Sequence, residues 1–94
     1  MTLAHDDRGS GPAVVLIHGH PFDRSLWRPQ LDSLSRSWRI VAPDLRGFGE
    51  SIVMPGTVSM REFADDVWEL LAGLGIEAVA VVGLSMGGLI AMEM

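Results

Sequence analysis

Apolar positions along the chain fall into three short continuous runs, separated by stretches of helical periodicity. Ala13-Val14-Val15-Leu16-Ile17 lies between Gly11-Pro12 and Gly19. Arg39-Ile40-Val41-Ala42 stops at Pro43, and Ala78-Val79-Ala80-Val81-Val82 stops at Gly83. Runs that are apolar on both faces predict interior strands of a parallel sheet, covered by helices on each side. Thr2 to His5 is expected to be an outer strand that turns through Arg8-Gly9-Ser10-Gly11.

Helical spacing fills the gaps. Ser59 and Glu62 form an S-x-x-E capping box, and Phe63, Val67, Leu70, Leu71 and Leu74 then recur on one face before Gly75. A weaker pattern predicts a helix from about Trp27 to Arg36 with Leu31 and Leu34 facing inward. A third helix is predicted to start at Ser85 and to carry Leu89, Ile90 and Met92. The order β-α-β-α-β-α predicts an α/β fold, a mostly parallel sheet with flanking helices. There are no internal repeats, and Gly47 to Gly56 is the one extended loop.

Composition narrows the partners. Ninety-four residues, 48% of them hydrophobic and 20% charged, fit one small globular domain. A net charge of −5, with seven Arg, no Lys and no basic stripe, argues against nucleic acid or an anionic membrane as partner. The absence of Cys removes disulfides, thiol nucleophiles and thiolate-bound metals. The N-terminal residues show no basic-then-apolar leader, and no apolar run approaches the length of a membrane span, so a cytoplasmic protein without metal or cofactor is expected.

Ligands of open α/β sheets bind at the carboxyl ends of the strands. His18-Gly19-His20-Pro21, Asp44-Leu45-Arg46-Gly47-Phe48-Gly49 and Gly83-Leu84-Ser85-Met86-Gly87-Gly88 all fall there. A serine on a strand-to-helix turn exposes its hydroxyl only with strained backbone angles, and side chains two positions either side would crowd it. Those positions are Gly83 and Gly87, and Gly88 is expected to let the helix approach the sheet. Acyl transfer needs two backbone donors aimed at the developing oxyanion. The Met86 N–H, one residue past Ser85, is one candidate; the turn after His18-Gly19 is placed to give the other, through the backbone of His20. The imidazoles of His18 and His20 are read as shaping the turn. No Walker-type loop is possible without Lys, and the turn does not read G-x-G-x-x-G.

These three motifs, with Trp27, resemble the α/β-hydrolase superfamily, and among its members the small bacterial esterases, enol-lactonases and cofactor-free haloperoxidases or perhydrolases. The resemblance implies Ser85 as nucleophile, the N–H groups of His20 and Met86 as oxyanion hole, and the loop from Asp44 as a structural support beside the site. It implies a small ester or lactone as substrate. Its triad runs Ser, then Asp or Glu, then His. Here His5, His18 and His20 all precede Ser85, and Glu93 is the one acid after it. Residues 1–94 are therefore expected to be the N-terminal portion of a single α/β-hydrolase domain, ending just after the nucleophile elbow. Two functions follow: a serine hydrolase, with perhydrolysis as a variant, or a non-catalytic folding or complementation unit. The strand ending at Gly83 is expected to be a bare apolar edge that favours self-association.

Overall fold

The computed structural model describes residues 3–53 and 56–94. Four strands, β1 (His5–Arg8), β2 (Ala13–Ile17), β3 (Arg39–Pro43) and β4 (Val79–Gly83), form one sheet in the order β1-β3-β2-β4. β2 pairs in parallel with β3 and β4, Val15 lying opposite Val41 on one side and Val81 on the other. β1 runs antiparallel to β3, with His5 opposite Pro43.

The outer strand is thus displaced from the expected Thr2–His5, and Thr2 lies outside the described residues. The reason is chemical. His5-Asp6-Asp7-Arg8 is polar, so no apolar run marks it; β3 recruits it by backbone pairing, and Arg39 holds Asp7 across the two strands at 2.8 Å. The buried residue of this segment, Leu3, comes before the strand.

α1 (Arg28–Leu34) is preceded by a 3₁₀ turn at Arg24–Trp27. The expected Trp27–Arg36 helix therefore starts earlier, as a tighter turn, and ends sooner. Pro29 in its first turn suits a helix start, where proline's missing N–H costs nothing. Leu31 is buried against the sheet, whereas Leu34 is 37% exposed, contrary to the inward position expected of it. Only one turn of so short a helix can meet the sheet squarely.

α2 (Met60–Gly73) follows the sequence closely. The capping box forms in both directions, Glu62 N–H to Ser59 Oγ at 3.1 Å and Ser59 N–H to Glu62 Oε1 at 3.2 Å. Gly75 takes φ +74° just past the helix end. Strand side chains alternate between two cores. Val15, Ile17 and Val41 pack with Phe63, Val67 and Leu71 of α2 and Ile90 of α3 (Met86–Glu93). Leu16, Ile40 and Ala42 pack with Leu31 and Trp27. β4 forms one edge of the sheet, with Val82 45% exposed. Among the described residues no helix is long and apolar enough to cross a membrane.

Candidate active site

β4 ends in a turn that forces Ser85 to φ 57°, ψ −117°, the one non-glycine residue with positive φ among those described. Such a conformation costs roughly 1–3 kcal/mol and persists only where its surroundings impose it. Here the imposition is steric. A Cβ on Gly83 would fall on the Gly87 carbonyl oxygen, and one on Gly87 would fall on the carbonyl oxygen of Ile17. The Leu84 N–H donates to that same Ile17 carbonyl at 3.1 Å, tying the turn to the end of β2. Gly88 differs from its expected role: a Cβ there would make an ordinary 3.7 Å contact with the Gly83 oxygen, so close approach does not require glycine.

Ser85 caps α3 without a side-chain hydrogen bond to the helix. Gly87 and Gly88 N–H donate back to Leu84 and Ser85, both at 2.9 Å. The Met86 N–H, first of the helix, meets no backbone carbonyl among the described residues. It is a free donor at the positive end of a helix.

The turn after β2 lies against this elbow. A Cβ on Gly19 would stand 2.7 Å from the Leu84 oxygen, 3.1 Å from the Ser85 Cβ and 3.4 Å from the Met86 nitrogen. Only a residue without a side chain fits between the two turns. Phe22 N–H closes the Gly19–Phe22 turn onto the Gly19 carbonyl at 2.8 Å, leaving the His20 N–H without a backbone acceptor among the described residues. Its imidazole is exposed and meets the Phe48 ring edge-on at 5.6 Å.

His18 is fully buried and both its nitrogens are engaged. Nε2 accepts the Leu45 N–H at 3.0 Å, which leaves Nδ1 to donate to the Gly19 carbonyl, also at 3.0 Å. These bonds assign the neutral Nδ1–H tautomer. The side chain ties the end of β2 to the loop after β3 and has no nitrogen left for Ser85.

The loop after β3 is organised by Asp44, itself buried. Its carboxylate accepts the Arg24 N–H at 2.7 Å, the Arg24 guanidinium at 2.6 Å and the Glu50 N–H at 2.9 Å. Gly49, at φ +52°, packs so tightly on this carboxylate that a Cβ would overlap it. Ser51 Oγ donates to the Asp44 carbonyl and accepts the Ala4 N–H. Burial disfavours the charge on Arg24, but Glu50, Asp44 and Asp6 outweigh it and hold the guanidinium above its ordinary range. A charged cavity of about 240 Å³ opens here, bordered by Asp6, Asp23, Arg24 and Glu50 and not by Ser85.

Sequence reasoning missed Arg24 and the Arg46–Asp66 pair, and it placed Phe48 and Ser51 in the loop after Asp44 without naming their contacts. Arg46 donates to both Asp66 carboxylate oxygens, at 2.8 and 2.7 Å, linking this loop to α2. That acid was visible as a charge on the apolar face of α2, three residues past Phe63. His5 sits on β1, three strands from β4 and thus about 14 Å away across the sheet. Among the described residues no side chain hydrogen-bonds Ser85 Oγ, and no cluster of His, Cys, Asp or Glu could hold a metal ion.

The arrangement can be compared with known proteins. Residues 12–94 match the family model described as the alpha/beta hydrolase fold. A soluble epoxide hydrolase of Corynebacterium sp. is 40% identical over 83 residues, covering 88% of this chain and 29% of the relative. The 3-oxoadipate enol-lactonase 1 of Acinetobacter baylyi is 36% identical over 83 residues, covering 88% of this chain and 31% of its own length. In the solved structure of a thermophilic esterase from Thermogutta terrifontis, with malate bound, 97% of this chain superposes with a TM-score of 0.95 at 46% identity, covering 34% of that protein. The chain thus spans about a third or less of these relatives. With strand, elbow, neighbouring turn and family model in agreement, this chain belongs to the alpha/beta hydrolase fold family.

Proposed function

We propose that this chain carries the nucleophile and oxyanion-binding part of a serine hydrolase acting on small carboxylic esters or lactones. The observation that supports it most is the close approach of the Gly19 turn to the Ser85 elbow, together with the His20 and Met86 N–H groups that have no backbone acceptor among the described residues. In this reading Ser85 Oγ attacks the carbonyl carbon while a base takes its proton, and the carbonyl oxygen becomes an oxyanion between the two donors. Collapse expels the alcohol, which takes up that proton, and water then attacks the acyl-serine to release the carboxylic acid.

The neighbours' names include epoxide hydrolase as well as lactonase and esterase. A serine hydroxyl favours the carbonyl substrates. Its attack on an epoxide leaves an ether, which water does not cleave, whereas its attack on an ester leaves an ester, which water does. Asp44 belongs to the support of the site, because its oxygens are already occupied. No histidine among the described residues is hydrogen-bonded to Ser85 as its base: both nitrogens of His18 are engaged, His5 lies on β1, and the His20 ring meets Phe48.

The uncovered β4 edge, with Val82 and Leu84 exposed, favours a second reading: a folding or complementation unit that associates through this edge and does not turn over alone. p-Nitrophenyl acetate separates the readings. A burst of p-nitrophenolate that Ser85→Ala abolishes supports the nucleophile assignment, and steady turnover after the burst argues for an autonomous enzyme. Release that is the same in wild type and Ser85→Ala counts against the assignment altogether.

A further inference from the structure

We propose that Arg24 is a positioning residue for the oxyanion loop, acting through Asp44 to hold the His20 N–H beside Ser85. The inference rests on the serine-hydrolase reading above. His20, Pro21 and Phe22 are exposed, and the 3₁₀ turn at Arg24–Trp27 buries no residue. Beyond the Gly19 contact with the elbow and the His20–Phe48 ring contact, little packing places residues 20–23, and their position depends on how the two ends are fastened.

Both ends are fastened to the same place. At the upstream end His18 Nε2 accepts the Leu45 N–H. At the downstream end Arg24 gives Asp44 its backbone N–H on one carboxylate oxygen and its guanidinium on the other. Asp44 and Leu45 are consecutive, so one dipeptide at the end of β3 pinches the loop shut. The Arg24 guanidinium reaches onward to Glu50 and Asp6, so the clamp also fixes the loop after β3. Asp23 caps the turn from within, accepting the Ser25 N–H at 2.8 Å.

The guanidinium is the part that matters most. Asp44 is buried, and Arg24 is the cation paired with it. Remove it and a buried carboxylate keeps only backbone donors, a state that favours opening of the loop towards water. A lysine restores the charge but not the fork that spans Asp44 and Glu50.

The test is hydrogen exchange on the 94-residue chain with Arg24→Gln and Arg24→Lys. Residues 19–23 should exchange about tenfold faster in Arg24→Gln and by an intermediate factor in Arg24→Lys, while amides of α2 keep their protection. Unchanged exchange at 19–23 in a folded variant, or equal acceleration of α2, overturns the proposal. Should Arg24→Gln fail to fold, Arg24→Lys is judged by the same two criteria. A second arm follows the amide resonances of His20 and Met86 on adding phenylboronic acid, which forms a tetrahedral serine adduct. Both should shift in the wild type, and Arg24→Gln should lose the His20 shift while keeping that of Met86. If neither shifts in the wild type, the serine-hydrolase reading fails, and the exchange data still decide whether Arg24 fastens the loop.

Discussion

Gly19 and Ser85 touch: a Cβ on the first would lie 3.1 Å from the Cβ of the second, and closer still to the Leu84 carbonyl. The two turns at the carboxyl ends of β2 and β4 thus form one surface, and glycine is what lets them meet. Gly19→Ala should push the turns apart. The expected outcome is a folded chain destabilised by about 1–3 kcal/mol in urea unfolding. Its reactivity at Ser85 should fall by roughly 10²–10³, the scale of losing one oxyanion donor.

The three elbow glycines are predicted to behave differently. Alanine at Gly87 meets backbone of Ile17 and His18, and alanine at Gly83 meets backbone of Gly87, none of which can move away. Both variants should lose stability or fail to fold. Gly88→Ala meets only an ordinary contact, and it replaces a helical glycine. Its melting temperature should stay level or rise, corresponding to a gain of up to about 1 kcal/mol from helix propensity. Thermal melts of the three variants side by side check the ranking.

His18→Leu keeps most of the side-chain volume but leaves the Leu45 N–H without its acceptor. A buried donor stranded in this way costs about 1–3 kcal/mol. Urea unfolding should show that loss, and hydrogen exchange should show the Leu45 amide among the first to open.

One pH dependence follows from the β1–β3 ion pair. The hydrogen bond from Arg39 outweighs burial and holds the Asp7 carboxyl below its ordinary 3.8. The unfolded chain therefore binds this proton more readily. The pair's contribution is present above pH 3.8 and is lost as the pH falls through the lower folded value. Both partners are partly exposed, so the contribution is at most about 1 kcal/mol. Asp7→Asn should lower the urea midpoint at neutral pH, and the gap to wild type should close in strong acid.

How much of this was legible in the sequence depends on whether a feature was local. The capping box of α2, the pair Gly83 and Gly87 and the run 13–17 declare themselves within a few residues, and the capping box and the strand 13–17 lie where they were expected. β1 does not, because its place is decided by pairing with β3 some 35 positions on, and its own side chains are polar. Arg24 and Asp44 are separated by 20 residues, and nothing near Arg24 marks it out from the other six arginines. Gly88 shows the opposite failure, a glycine whose motif position suggests a steric need that the helix does not impose. The Ser85 turn was legible because one strained residue requires glycines on either side.

The most direct test of the central claim is peptide mass spectrometry of the chain after incubation with a fluorophosphonate. One phosphonyl adduct is expected, on Ser85, absent in Ser85→Ala and slowed in Gly19→Ala. Equal modification of Ser51, Ser59 and Ser85 would contradict it, and no adduct on the folded chain would rule out an autonomous nucleophile.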